Sequence, residues 1–326
     1  MNRRSIPDQI KANVRASLAY SFVLILLLAA VGGTLVGYYA PEIWWFGAAG
    51  AGALGLIMAL VARYAGSSLI LTMSGAREAT DAEFQVLNNV AEEMAIAAGI
   101  PKPNVMVIDD SAPNAFATGP DPRRAVVVFT SGIIQKLDRD ELQGVMAHEI
   151  AHIRNYDIRF MATIAMIAGL IPLLADGLRR AVWYGGGRRS KDGGSAIFAI
   201  LALVLGILAP LFSMLLHMAV SRQREFLADS TAAELTRYPE GLARALQKIA
   251  SDPDPLEAAN RATEHLYIVN PVQKFHAGMS ALMSTHPPTD QRIRALKVLM
   301  GSYAQYREQR APDDFSDMPE IPDPRS

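Results

Sequence analysis

Cysteine is absent from all 326 residues, so no disulfide holds the fold and no thiolate binds a metal or attacks a substrate. Any bound metal must take nitrogen and oxygen ligands. Charge is also scarce: Asp, Glu, Lys and Arg make up 19% of the chain, against roughly 25% in an ordinary soluble domain. The formal net charge is −1, and no basic run is interleaved with aromatics, so nucleic acid and other polyanions are excluded as partners. There is no internal repeat. The glycines at Gly33, Gly37, Gly47, Gly52 and Gly55 have no phosphate-loop spacing and are read as close helix packing in lipid.

What the chain has in place of charge is apolar length. Residues Ser17 to Ala40, Ile43 to Ala62, Ile158 to Ala175 and Ala196 to Val220 are nearly free of charge. Each is close to the ~20 residues needed to cross hydrocarbon, which predicts about four transmembrane helices. The first is too long for a secretory h-region of about 7 to 15 residues and lacks a small-x-small site, so it is expected to stay in the chain. A transporter would need ionisable residues within these segments, and Asp176 at an edge is nearly all they offer.

Between the second and third apolar segments the sequence reads as a folded domain. "DAEFQVLNNVAEEMAIAA" places Phe84, Leu87, Val90, Ala91 and Met94 on one helical face, and Gly99 ends the pattern. "NVMVID", "NAFATG" and "AVVVFT" predict short strands of a small sheet. Asp138 and Glu141 have capping-box spacing, which starts a helix carrying "LQGVMAHEIAHIRN". That helix is expected to run on, nearly unbroken, into the third apolar segment as far as Ile171. The corresponding division is a transmembrane hairpin over 1–62, a first catalytic part over 63–157, and a second hairpin over 158–220. A second catalytic part over 221–305 and a disordered acidic tail over 306–326 complete it.

His148 and His152 lie four residues apart, so on a helix both imidazoles reach one ion, with Glu149 on the neighbouring face. In this H-E-x-x-H pattern the two histidines hold zinc, and the glutamate takes a proton from the attacking water and passes it to the leaving amine. A catalytic zinc needs a third protein ligand and one open position. Glu225, His217, His265, His276, His286 and several acids are candidates. Glu225 is preferred, because antiparallel pairing of the third and fourth apolar helices brings their extensions out side by side. His217, among Leu216, Met218 and Val220, reads as a packed membrane-boundary residue.

"AHEIAHIRNYD", "RQREFLADSTAAELT", "NAFATG" and "STHPPTDQRI" together resemble the HtpX-type membrane zinc metallopeptidases, relatives of the CAAX prenyl endopeptidases. The resemblance covers nearly the whole chain except the acidic tail. It implies an α-helical membrane protein with an α+β, zincin-like catalytic domain whose small sheet lies beside the H-E-x-x-H helix. It implies one zinc per chain on His148, His152 and Glu225, with Glu149 catalytic. Asp229, in the family's E-x-x-x-D element, is a candidate to orient a ligating histidine. His286 is a candidate oxyanion donor, and Asn114, Ala115 and Phe116 a candidate substrate-binding strand. The implied activity is zinc-dependent endoproteolysis of membrane-associated or misfolded membrane proteins in a bacterial inner membrane, part of stress-related quality control. The alternative is a non-catalytic, zinc-stabilised scaffold or chaperone adaptor.

The basic N-terminus, with Arg3, Arg4, Lys11 and Arg15, places the catalytic domain in the cytoplasm by the positive-inside rule. Arg179, Arg180, Arg188, Arg189 and Lys191, between the third and fourth segments, oppose that rule if both segments span. Dominance of the first helices reconciles the two, as does tilting of the third and fourth segments, kinking at Pro172 and Pro210, or incomplete spanning, and full spanning is the expectation.

Overall fold

A computed structural model describes residues 6–184, 193–256, 267–269 and 287–310. Its long helices follow the apolar segments: α1 (Ile6–Tyr39), α2 (Trp44–Tyr64), α7 (Asp157–Tyr184) and α8 (Gly193–Thr236). They pack into one bundle around Leu24, Leu28, Val31, Ala51, Ile171, Leu178, Ala202 and Ala209. The outward faces stay apolar, with Phe22, Leu26, Ile57, Leu60, Ile200, Leu203 and Ile207 exposed, as hydrocarbon requires. Among the described residues, Val14–Tyr39, Pro41–Ala62 and Ile197–Leu215 are long and apolar enough to cross a membrane.

Small residues set the helix spacing. A Cβ at Gly32 would sit 2.7 Å from the Gly47 carbonyl oxygen, and one at Gly37 would enter the Phe198 ring. Such close approach is how helices associate where lipid removes the hydrophobic drive.

The second layer begins with α3 (Gly66–Ser74), β1 (Arg77–Glu78), and α4 (Asp81–Ala98). Gly99, at φ 68°, closes α4 by donating to Ala95 and Ile96. Strands β2 (Asn104–Ile108), β3 (Ala115–Thr118) and β4 (Val126–Thr130) complete a mixed sheet in the order β1-β2-β4-β3. β2 and β4 are parallel, and β3 lies antiparallel to β4 at the end of the sheet. After α5 (Ser131–Lys136) comes α6 (Arg139–Arg154), followed after the bundle by α9 (Pro239–Ser251) and α10 (Thr289–Arg310). One hydrophobic core joins α4, the sheet, α6, the last turns of α8, α9 and α10, with Val90, Phe129, Met146, Ala232, Leu246 and Leu296 buried in it.

The expected capping box is present: Asp138 accepts from the Glu141 N–H at 2.9 Å, and Glu141 accepts from the Asp138 N–H at 2.9 Å. Helix α6 is locked against α9 by two glycines. A Cβ at Gly144 would lie 2.5 Å from the Leu242 nitrogen, and one at Gly241 would lie 2.6 Å from the Asp140 carbonyl oxygen.

Two expectations are corrected. The helix beginning at Arg139 does not run unbroken to Ile171: α6 ends at Arg154, Tyr156 adopts φ 60°, and α7 starts at Asp157. On a continuous helix a residue five positions after His152 would point roughly 140° away from it. The break instead brings Asp157 back to within 3.1 Å of His152. The continuous connection from bilayer to site is α8, which carries the apolar Ile197–Leu215 stretch through Pro210 and on to Glu225 without interruption. The other correction concerns the tail expected from residue 306: α10 continues to Arg310, and 311–326 lie outside the described residues.

Candidate metal centre

Helix α6 supplies His148 and His152, and α8 crosses it to supply Glu225. The ligand-capable atoms of these residues all lie within 4.8 Å of one another. His148 Nε2 and His152 Nε2 are 3.2 Å apart, His152 Nε2 is 3.3 Å from Glu225 Oε1, and His148 Nε2 is 3.7 Å from Glu225 Oε2. A tetrahedral ion with bonds of about 2.0–2.1 Å sets its ligand atoms about 3.3 Å apart, so the donor set fits a zinc-sized ion without rearrangement.

The opposite nitrogen of each imidazole meets a carboxylate. His148 Nδ1 is 2.9 Å from Asp229 Oδ1, and His152 Nδ1 is 3.1 Å from Asp157 Oδ2. Such contacts fix the tautomer and turn Nε2 toward the shared centre. Asp229 is also held by Arg292, whose Nε and Nη2 donate to its two oxygens at 2.9 and 2.7 Å. Arg292 Nη1 lies 3.0 Å from Glu225 Oε2 and donates to the Ile268 carbonyl at 2.8 Å. Asp157 is paired with Arg224 at 2.7 Å. His148, Asp157, Arg224, Glu225, Asp229 and Arg292 are buried, and His152 is partly exposed.

Burial and neighbouring charges separate the titration of these groups. Burial pushes the Glu149 carboxyl up to about 7, the nearby Glu225 charge adds to this, and His152, Arg292 and the Ala117 N–H oppose it. Burial and the Arg292 guanidinium push His148 down to about 4. For His152, burial disfavours the charged ring, but the Asp157 and Glu225 carboxylates outweigh it and raise the pKa to about 10. Asp229 is lowered: burial would raise it, and the Arg292 and His148 contacts prevail.

The outer edge of β3 faces this centre, as the Ala117 N–H reaches Glu149. Part of that edge is already paired within the chain. Ile268 donates to the Ala115 carbonyl at 2.9 Å, and the Asn114 amide donates to the Val269 carbonyl at 2.9 Å and accepts from its N–H at 3.4 Å. Phe116 packs edge-on against the buried Tyr267.

The structure brings His148, Glu149, His152, Glu225 and Asp229 together. His217 falls on α8, eight residues before Glu225; His265, His276 and His286 lie outside the described residues. Sequence reasoning missed Asp157, Arg224 and Arg292. Asp157 was hidden by the assumption of a continuous helix. Arg292 carried a signal, being a charge among Ile293, Leu296 and Leu299 on the buried face of α10.

A multi-pass helical bundle that carries an H-E-x-x-H helix beside a crossing glutamate defines the class of a membrane peptidase. Residues 81–300 match the family described as Peptidase family M48. Among similar proteins, the "Protease HtpX homolog" of Dictyoglomus thermophilum is 48% identical over 292 residues, which is 90% of this chain and 94% of that one. The protein of the same name from Thermoanaerobacter pseudethanolicus is 43% identical over 306 residues, covering 92% and 99%. The crystal structure of S. mikatae Ste24p is similar with a TM-score of 0.49 and 22% identity, over 89% of this chain and 66% of that one, so the chain spans just under two thirds of its length. The chain belongs to Peptidase family M48, among its HtpX-type membrane proteases. That membership disfavours the non-catalytic scaffold.

Proposed function

We propose that the chain is a zinc-dependent endopeptidase of a bacterial inner membrane. In this reading its catalytic domain faces the cytoplasm and hydrolyses peptide bonds of membrane-associated or misfolded membrane proteins. The carrying observation is the spacing of 3.2, 3.3 and 3.7 Å between the donor atoms of His148, His152 and Glu225, which suits one tetrahedral ion. When bound, zinc supplies Lewis acidity toward water and the scissile carbonyl.

The chain's own groups do the rest. His148, His152 and Glu225 hold the ion, while Asp229 and Asp157 keep the two imidazoles turned toward it. Glu149, with its carboxyl near 7, is tuned to accept a proton from the attacking water and return it to the departing amine. An extended substrate segment adds along the outer edge of β3, at Asn114 to Phe116, through main-chain hydrogen bonds. Pairing at Ala115 requires Ile268 to release the carbonyl it now occupies. His286 serves as an oxyanion donor, a role that rests on its place in "THPP". The catalytic domain is built from 63–157 and 221–305, on either side of the second membrane hairpin, and the shared core of α4, α6, α9 and α10 supports this division.

The test is Glu149→Gln in detergent-purified full-length protein, with zinc content and cleavage of an unfolded membrane-protein substrate measured together. Zinc retained with cleavage abolished is the expected result. Undiminished cleavage would falsify the role of Glu149.

A further inference from the structure

Consecutive residues of α8 face two different helices. Glu225 turns to the histidines of α6, whereas Arg224, only 3% exposed, turns to the first residue of α7. Its Nη1 donates to Asp157 Oδ1 at 2.7 Å and approaches the Asp157 carbonyl oxygen at 3.4 Å. The other oxygen of Asp157, Oδ2, meets His152 Nδ1 at 3.1 Å. The His152 ring is therefore held at both nitrogens from one helix: at Nε2 by Glu225 directly, and at Nδ1 by Arg224 through Asp157.

The setting explains why such a relay is needed. Asp157 follows the break at Asn155 and Tyr156, where the backbone turns through φ 60° and no α-helical hydrogen-bond ladder carries orientation from α6 into α7. A buried carboxylate at a helix break, with only an imidazole beside it, would be free to swing between partners. A guanidinium supplied by the unbroken helix α8 fixes one of its oxygens and leaves the other for His152.

We propose that Arg224 is a positioning residue for the metal-ligand set, clamping Asp157 across the α6–α7 break so that His152 presents Nε2 to the ion. The proposal rests on the metal-site reading above and extends it to a residue that touches neither ion nor substrate. It also gives α8 a second duty, since the helix that delivers the third ligand also orients the second.

The experiment is a double-variant cycle on the full-length protein in detergent, reading the zinc dissociation constant by competition with a chromophoric chelator. The visible d–d spectrum of the Co2+-loaded protein is read in parallel. Arg224→Gln and Asp157→Asn should each weaken zinc binding about 10- to 100-fold, the usual effect of removing an outer-shell partner, with a changed Co2+ spectrum. Because one acts through the other, the double variant should bind within about threefold of Asp157→Asn alone. If Arg224→Gln does not fold, Arg224→Met takes its place under the same criterion, as methionine fills the space without offering a donor. An unchanged dissociation constant and spectrum, or losses that multiply in the double variant, would overturn the proposal. A wild-type chain that takes up no zinc overturns the metal-site reading as well, whereas wild-type binding with multiplying losses overturns the relay alone.

Discussion

Asp229 Oδ1 lies 2.9 Å from His148 Nδ1 and 2.7 Å from Arg292 Nη2, so a single carboxylate oxygen joins a candidate ligand histidine on α6 to a guanidinium on α10. All three residues are buried. The arrangement makes the candidate metal centre depend on a helix that contributes no candidate ligand to it.

Asp229→Ala should therefore act on stability before chemistry. It removes one of the two carboxylates that face the buried Arg292 guanidinium, leaving Glu225 Oε2 at 3.0 Å, at a cost of about 1–3 kcal/mol in denaturant or thermal unfolding of the metal-free protein. Asp229→Ala combined with Arg292→Met should regain most of that stability while zinc affinity stays weakened, because His148 still lacks its partner. A double variant no more stable than Asp229→Ala would count against this account.

The pH dependence of zinc uptake follows from the two histidines. Above pH 7 His148, pushed down to about 4, carries no proton to displace, whereas His152, pushed up to about 10, does. Between pH 7.5 and 9.5 the apparent dissociation constant should fall by about tenfold per pH unit, with close to one proton released per zinc in calorimetry across buffers. The metal-free fold should move the other way. A raised histidine contributes stability that is complete below its ordinary 6.5 and is lost as pH rises through about 10, so its melting temperature should decline over the same range. A dissociation constant that ignores pH would show that His152 carries no proton to displace in the metal-free protein.

Gly144→Ala tests the interlock that seats α6. The added Cβ would meet the Leu242 backbone nitrogen at 2.5 Å and Cα at 2.8 Å, atoms that cannot rotate away. Unfolding measurements should record a loss of about 1–3 kcal/mol. Zinc binding should weaken as well, as His148 lies one turn further along the same helix. A variant as stable as wild type would mean that α9 yields at no cost.

The absence of cysteine makes the orientation straightforward to read. Glu42, in the turn between α1 and α2, and Asp8, near the start of α1, are both exposed. With the catalytic domain in the cytoplasm, Glu42→Cys should react with an impermeant thiol reagent on intact cells, and Asp8→Cys and Lys102→Cys only after permeabilisation. The reverse pattern would invert the topology.

Much of this was legible in the sequence where local rules act alone. The apolar runs located the bundle, Gly99 closed α4, and Asp138 with Glu141 started α6 in the expected capping box. His148 and His152 were legible because four-residue spacing is a local property of a chain, and Glu225 because the fourth apolar helix was expected to pair with the third and carries the family's E-x-x-x-D element. The break at Tyr156 was not, since "HIRNYDIRF" contains neither glycine nor proline and a tyrosine at φ 60° is a tertiary outcome. The roles of Asp157, Arg224 and Arg292 depend on that break and on contacts 63 to 144 residues apart in sequence, such as Arg292 with Asp229 and with His148. Pairing of Ile268 with Ala115 on the edge of β3 was equally non-local.

The central claim is that a membrane-crossing helix delivers the third ligand to an ion already held by two histidines. Zinc-edge X-ray absorption combined with zinc stoichiometry, on full-length wild type and Glu225→Ala, tests it most directly. The account predicts one zinc per wild-type chain in a four-coordinate nitrogen and oxygen shell containing two imidazoles, and a loss of most of that zinc in Glu225→Ala. Full zinc occupancy with an unaltered ligand shell in Glu225→Ala would contradict it.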